Sequence, residues 1–166
     1  MIGSLNKVLK SVFGDKSQRD LKEVQPLVEA TKAEYAKLAT LSNDDLRRRT
    51  QELKQRVADR TKATDDRVAA LRAEIENDPR MEIAEREKRW DEIDKLLADS
   101  LKDIEDVLLE ILPEAFAVVK ETARRFSERD EIEVTASELD REIATQRDGV
   151  EIRGDKAVWK TTWTAA

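Results

Sequence analysis

Cysteine and histidine are both absent from the 166 residues. Without cysteine there is no disulfide frame and no thiolate metal site. Without histidine the commonest metal ligand and general base is missing, which removes most ordinary catalytic plans and every Glu-x-x-His di-metal motif. Glycine is scarce, at Gly3, Gly14, Gly149 and Gly154. A phosphate-cradling loop reads GxxxxGK[ST], and the stretch Gly149–Asp155 fails at its essential lysine. With no phosphate cradle the chain is expected not to hydrolyse ATP. Nor do Asp148-Gly149 and Gly154-Asp155 supply the alternating acids of a calcium loop. No apolar run approaches the roughly 18 residues that a membrane span needs. The apolar residues at the N-terminus are spaced, and no small-residue cleavage site follows them, so the chain reads as cytoplasmic. Surplus positive charge is lacking too: the net charge is −6 with acids and bases mixed, which argues against a groove for nucleic acid.

Charge of both signs is what the chain has most of. Charged residues make up 41% and aromatics 4%, a balance that suits exposed helices and coiled coil better than a compact sandwich or α/β core. The length fits one ordinary domain. The fold expected is mainly α: a long antiparallel helical hairpin, coiled-coil-like, packed with shorter helices, plus a small β-hairpin near the C-terminus.

Taken in order, residues Met1–Phe13 place Ile2, Leu5, Val8, Leu9, Val12 and Phe13 at spacings of three and four, with Lys7 and Lys10 among the polar positions. This is a short amphipathic helix. Its stripe either docks on the protein's own core or a neighbour, or lies on an anionic bilayer. Gly14 is placed to stop it. A second helix is expected over about Ser17–Ala39, with a kink or restart at Pro26. Its face is Leu21, Val24, Leu27 and Val28, continued by Thr31, Tyr35 and Leu38.

Ser42 or Asn43 caps the next helix, and Asp44 and Asp45 load its first turn. Leu46, Leu53 and Val57 start a seam that fades at Arg60, Thr61 and Thr64 and resumes at Val68, Leu71 and Ile75. Asn77-Asp78-Pro79 breaks it. Then Trp90, Ile93, Leu97, Leu101, Ile104, Leu108 and Ile111 form the cleanest heptad run. The economical arrangement is Asn43–Glu76 against Met81–Ile111, with a tip near Asn77–Arg80. A hairpin or a dimer seam would bury Trp90 and its neighbours, and the heptad does not say which. The basic cluster Arg47-Arg48-Arg49 is expected to pair with Glu52 and nearby acids. Asp44/Asp45, Asp65/Asp66 and Glu128/Asp130 are read as helix-start and solvated-face acids.

In Leu112–Phe126, LPEAFAVVKETARRF, the apolar residues Ala115, Phe116, Val118, Val119, Ala123 and Phe126 spread wider than one stripe, which predicts a helix covered on more than one side. Pro113 is expected in its first turn. Beyond it, Ile132, Val134 and Ala136 alternate as a strand, and Ser137 caps one or two helical turns over Leu139–Gln146. Val150–Arg153 and Lys156–Trp163 read as a hairpin that needs a face to dock on, with Trp159 and Trp163 supplying the area.

Three pieces of the chain carry a resemblance. LPEAFAVVKETARRF looks like the EAFAVVREAAKR-type run near the start of SecA, the motor ATPase of bacterial preprotein translocation. LNKVLKSVFG, Leu5–Gly14, is similar to that family's amphipathic N-terminus, and LSNDDLRRRT, Leu41–Thr50, to its LSDEELRxKT run. AEYAKLATLS, Ala33–Ser42, stands where members commonly have LEPEFxxLS. Against the commonest pattern, Val57–Ile111 and Glu131–Ala166 look like insertions, and the chain stops before the DVQL-type stretch that helps hold adenine. The resemblance implies an N-terminal region of a SecA, too short for a two-lobed ATP motor. Its divisions would be 1–42, the N-terminal helices; 43–111, a hairpin that is largely insertion; 112–128, a family-type core helix; and 129–166, a β-rich segment. ATP and magnesium would belong to the parent protein, with no cofactor, catalytic residue or metal ligand here. The resemblance also implies that Ile2, Leu5, Lys7, Val8, Leu9, Lys10, Val12 and Phe13 contact anionic lipid and the protein-conducting channel, at the inner face of the cell membrane. Self-association through the hairpin is a further expectation. The alternative is a free-standing cytoplasmic coiled-coil adaptor.

Overall fold

A computed structural model describes residues 16–162. The expected amphipathic helix over Met1–Phe13, its stop at Gly14, and Trp163 lie outside these described residues. Helix α1, Lys16–Leu38, runs unbroken through Pro26, where the sequence predicts a kink or restart. The cost there is one lost bond, to the carbonyl of Lys22. Helix α2, Asn43–Asn77, is capped by Ser42, whose hydroxyl accepts from the Asp45 N–H at 3.0 Å. Asp78-Pro79 ends it, and Met81 is buried at the tip.

Helix α3, Ile83–Glu128, is 46 residues long and contains Pro113 in its interior. The first-turn placement expected for Pro113 is therefore corrected. Proline removes only the bond to the carbonyl of Leu109, an exposed residue, and continuous packing on both sides of it carries the helix through. Helices α2 and α3 form the antiparallel hairpin. Leu53 packs on Val107 and Ile111, and nearer the tip Val68 and Leu71 pack on Ile93. Between these clusters the buried residues are Thr61 and Ser100, which explains the fading seam: small polar groups replace apolar ones at mid-length. Arg60–Glu110, Arg67–Glu92 and Arg89–Glu74 tie the flanks together.

The heptad on α3 divides into two stripes. Ile93, Val107 and Ile111 face α2, with Ser100 between them. Trp90, Leu97, Leu101 and Leu108 do not: Trp90 is 44% exposed and Leu101 64%. Of the seven residues in that run the hairpin buries only Ile93 and Ile111, with Ile104 half-buried. The same correction applies to the end of the helix. Ala117 and Val118 pack against Leu38 and Leu46, whereas Phe116, Val119 and Phe126 stay exposed, because α1 and α2 cover only one side.

The C-terminal unit is a three-stranded antiparallel sheet. Strands β1, Glu131–Thr135, β2, Val150–Arg153, and β3, Lys156–Lys160, lie in the order β1-β3-β2. The expected hairpin is β2–β3, turning at Gly154, whose φ of +66° is one that glycine adopts without a Cβ penalty. The pairing of β1 with β3, with Ile132 opposite Trp159, completes the sheet. Helix α4, Glu138–Gln146, covers one face, where Ile143 and Ala144 meet Ile132, Val134, Val150 and Ala157.

Candidate functional site

The ends of α1, α2 and α3 meet the sheet at a polar junction built on two buried carboxylates. Glu121 sits one turn before the end of the apolar run of α3, and is 1% exposed. Arg124, three residues on, donates to both its oxygens at 2.7 and 2.9 Å, and Arg125, four residues on, donates to Oε1 at 2.8 Å. The Arg124 bonds, helped by Arg125, outweigh the opposing effect of burial and hold the Glu121 carboxyl at about 2. Arg125 then reaches across the chain. Its guanidinium donates to Asn43 Oδ1 and to the backbone carbonyl of Leu41, each at 2.8 Å. One side chain thereby joins the exit of α1, where orphan carbonyls favour a cation, to the entry of α2.

Asp140, the second carboxylate, is fully buried. Arg47 of α2 grips it with two bonds, Nη1 to Oδ2 at 2.7 Å and Nη2 to Oδ1 at 2.6 Å. The backbone N–H and hydroxyl of Ser137 donate to Oδ2, and the Trp159 indole N–H donates to Oδ1 at 3.2 Å. The Arg47 bonds, with those from Ser137 added, win over burial and keep Asp140 well below the usual carboxylate range. In return Asp140 raises the Arg47 guanidinium. Beside this pair, Thr135 donates its backbone N–H to Asp44 at 2.7 Å and its hydroxyl at 2.9 Å, while Asn43 donates to the Glu133 carbonyl. Burial pushes the Asp44 carboxyl up, but the Thr135 bonds, with Lys156 and Arg47 nearby, bring it below its ordinary value.

A cleft of about 300 Å³ opens between these groups, lined among others by Asn43, Arg47, Thr122, Arg125, Phe126 and Trp159. Both of its guanidiniums are engaged by carboxylates. Among the described residues no group of three acids stands together to hold a metal ion. The junction ties three helix ends and a sheet together. A second, apolar groove of about 350 Å³ runs between α1 and α3, where Val24, Leu27 and Val28 face Leu112 and Phe116. Farther along, Lys120 lies 4.8 Å above the Tyr35 ring.

The residues expected to contact lipid and channel, Ile2, Leu5, Lys7, Val8, Leu9, Lys10, Val12 and Phe13, lie outside the described residues. Within the basic cluster Arg48 pairs with Asp45 and Glu52, and Arg49 with Glu52, as expected, while Arg47 pairs with Asp140. Asp140 and Glu121 were not singled out as junction residues. The available signals were Ser137-x-x-Asp140, a capping box, and an i,i+4 pair on the most apolar helix. Among the described residues no helix is long and apolar enough to cross a membrane.

A family model described as SecA DEAD-like domain matches residues 9–137. The chain belongs to the SecA family. The protein translocase subunit SecA of Bacteroides fragilis is 48% identical over 162 residues, covering 96% of this chain and 14% of its own length. That of Porphyromonas gingivalis (strain ATCC 33277) is 45% identical over 160 residues, 96% of this chain and 14% of its own length. That of Christiangramia forsetii is 43% identical over 162 residues, 98% of this chain and 14% of its own length. The chain thus spans about one-seventh of the length of the curated relatives it matches, and corresponds to an N-terminal part of SecA. No solved structure matches it. The alignments run through the hairpin and the sheet, so these SecA relatives have counterparts of both.

Proposed function

We propose that this chain serves as the N-terminal region of a protein translocase motor that exports proteins across the cytoplasmic membrane. The observation that carries the reading is the match, along nearly the whole chain, to proteins named protein translocase subunit SecA. In that role residues 16–162 are scaffold. The junction locks the family-type helix, residues 112–128, to the entry of the hairpin and to the β-rich segment, and the hairpin, residues 43–111, is an arm. ATP and magnesium are handled by the rest of the parent protein, and this chain alone turns over no nucleotide. Ile2, Leu5, Val8, Leu9, Val12 and Phe13 insert into the interface of an anionic bilayer and meet the protein-conducting channel, while Lys7 and Lys10 add about 1 kcal/mol each near an anionic surface. The protein then sits peripherally at the inner face of the membrane. A free-standing coiled-coil adaptor has nothing in its favour beyond the hairpin itself.

Vesicle flotation tests the membrane contact. The chain should float with vesicles of phosphatidylglycerol and phosphatidylcholine, and far less with phosphatidylcholine alone. L5D/L9D should abolish flotation. Equal binding by both forms, or binding by neither, refutes the interfacial role. Calorimetry with Mg-ATP should be flat; a saturable signal would overturn the assignment of nucleotide chemistry to the rest of the parent.

A further inference from the structure

The second apolar stripe of α3 has no partner among the described residues. It runs from Trp90 through Leu97 and Leu101 to Leu108, and joins the groove at Leu112 and Phe116. We propose that the chain's own residues 2–13 occupy this stripe, as a third helix laid on the outer face of the hairpin.

Direction supports this first. Helix α1 runs the same way as α3: Lys120 lies over Tyr35 toward the C-terminal ends, where Leu38 packs on Ala117 and Val118, and Val24, Leu27 and Val28 share a groove with Leu112 and Phe116 farther back. Both helices rise about 1.5 Å per residue, so counting back equally from Tyr35 and Lys120 brings residues 2–13 to about 87–98. Those are the levels of Trp90 and Leu97. Leu21 and Val24, exposed on α1, lie on the same path.

Pattern and charge agree with it. Ile2, Leu5, Val8, Leu9, Val12 and Phe13 form the one amphipathic stripe outside the described residues. Its flanks carry Lys7 and Lys10 with no acid before Asp15. Residues 83–111 of α3 hold ten acids against five bases. Glu87, Asp94 and Glu105, one turn from the stripe residues, are exposed and form no ion pair among the described residues. A second copy docked on this stripe through its own would set acid against acid. Covalent connection also gives the N-terminal segment an effective concentration on the order of millimolar.

This reading goes beyond the membrane role and does not depend on it. The test exploits the absence of cysteine. Ala98 is exposed beside the stripe, between Asp94 and Leu101 on the helix surface, so A98C introduces a single reporter thiol. In the full chain, without lipid, an aromatic disulfide reagent should label it about tenfold more slowly than in A98C carrying V8D/L9D, as expected for local protection. A thiol at the exposed Ala70 on α2 should react equally in both. V12C/L97C should close an intramolecular disulfide on mild oxidation. Full-speed labelling of A98C in the intact chain overturns the proposal. So does protection that V8D/L9D leaves unchanged, or protection that fades on dilution, which would put a second copy there. Because no vesicles are present, none of these failures touches the flotation result.

Discussion

Replacing Arg47 by methionine isolates what the buried carboxylate at the junction needs. The substitution keeps the aliphatic stem and removes both bonds to Asp140. Asp140 is fully buried, whereas the Arg47 side chain is 38% exposed. Removing one partner of a buried pair costs about 3–5 kcal/mol. Partial solvation of Arg47, and the donors Asp140 keeps from Ser137 and Trp159, put the expectation at the low end, about 3 kcal/mol. The pH dependence supplies the sharper check. Asp140 is depressed in the folded chain, so its contribution is fully present above the unfolded aspartate value near 3.9 and is lost as pH falls toward its folded value. The gap between wild type and R47M should therefore be constant above about pH 5 and narrow below about pH 4. Trp159 touches the carboxylate and reports the event directly. Urea unfolding would be followed by its emission in a W90F/W163F background, because the sheet and the far end of the hairpin need not unfold together. A loss under about 0.5 kcal/mol at pH 7 is what an exposed pair gives, and would refute the buried-pair argument. A gap unchanged down to pH 3 would refute it equally.

R125M removes one of the three bonds to Glu121, which keeps Arg124, and leaves Asn43 and the Leu41 carbonyl without their donor; a loss of about 3 kcal/mol is expected by urea unfolding, and a loss under about 1 kcal/mol would contradict this. Glu121 itself, held at about 2, should give wild type about 3 kcal/mol that is complete above pH 5 and disappears as pH falls toward 2; an E121Q titration showing the same acid slope would contradict this. T61V should stabilise the hairpin by about 0.5–1 kcal/mol, since the hydroxyl bonds only to its own helix and the site is buried; a thermal midpoint that falls would contradict this. G154A should cost about 1–2 kcal/mol, through backbone conformation alone, because a Cβ there meets no atom within 4 Å; a larger loss would require a contact that the structure lacks.

Local signals were read well. Ser42 with Asp44-Asp45, the Asn77-Asp78-Pro79 break and the Arg153–Lys156 turn all placed element ends, because capping and turn chemistry act within a few residues. Neither proline marks an element boundary: the helices run on through Pro26 and Pro113, and at Pro113 packing on both sides outweighs one missing hydrogen bond. The heptad on α3 was read as one seam because spacings of three and four suit two adjacent stripes as well as one. Only the position of α2 shows that Ile93 and Leu97 face different ways. The junction was legible in fragments. Arg47 and Asp140 lie 93 residues apart, and nothing in either neighbourhood names the other. Thr135 reads as a strand residue and Asp44 as a first-turn acid, until the sheet folds against α2 and gives each a second use. The pairing of β1 with β3 was hidden for the same reason: sheet order is a property of the assembled unit.

The unbroken helix Ile83–Glu128 makes the two ends of the molecule a single mechanical part. At about 1.5 Å per residue it is a rod of roughly 70 Å. Its last turns are clamped by Arg125 and Glu121, and its first turns end at the hairpin tip. A tilt of about 5° at the clamp swings the tip by about 6 Å on that length. Pro113, about 45 Å from the tip, is the one interior point of the rod where proline removes a backbone hydrogen bond. Beside that point α2 runs unbroken, with Arg56 paired to Glu114, so the second helix splints the first and any swing of the tip starts at the junction.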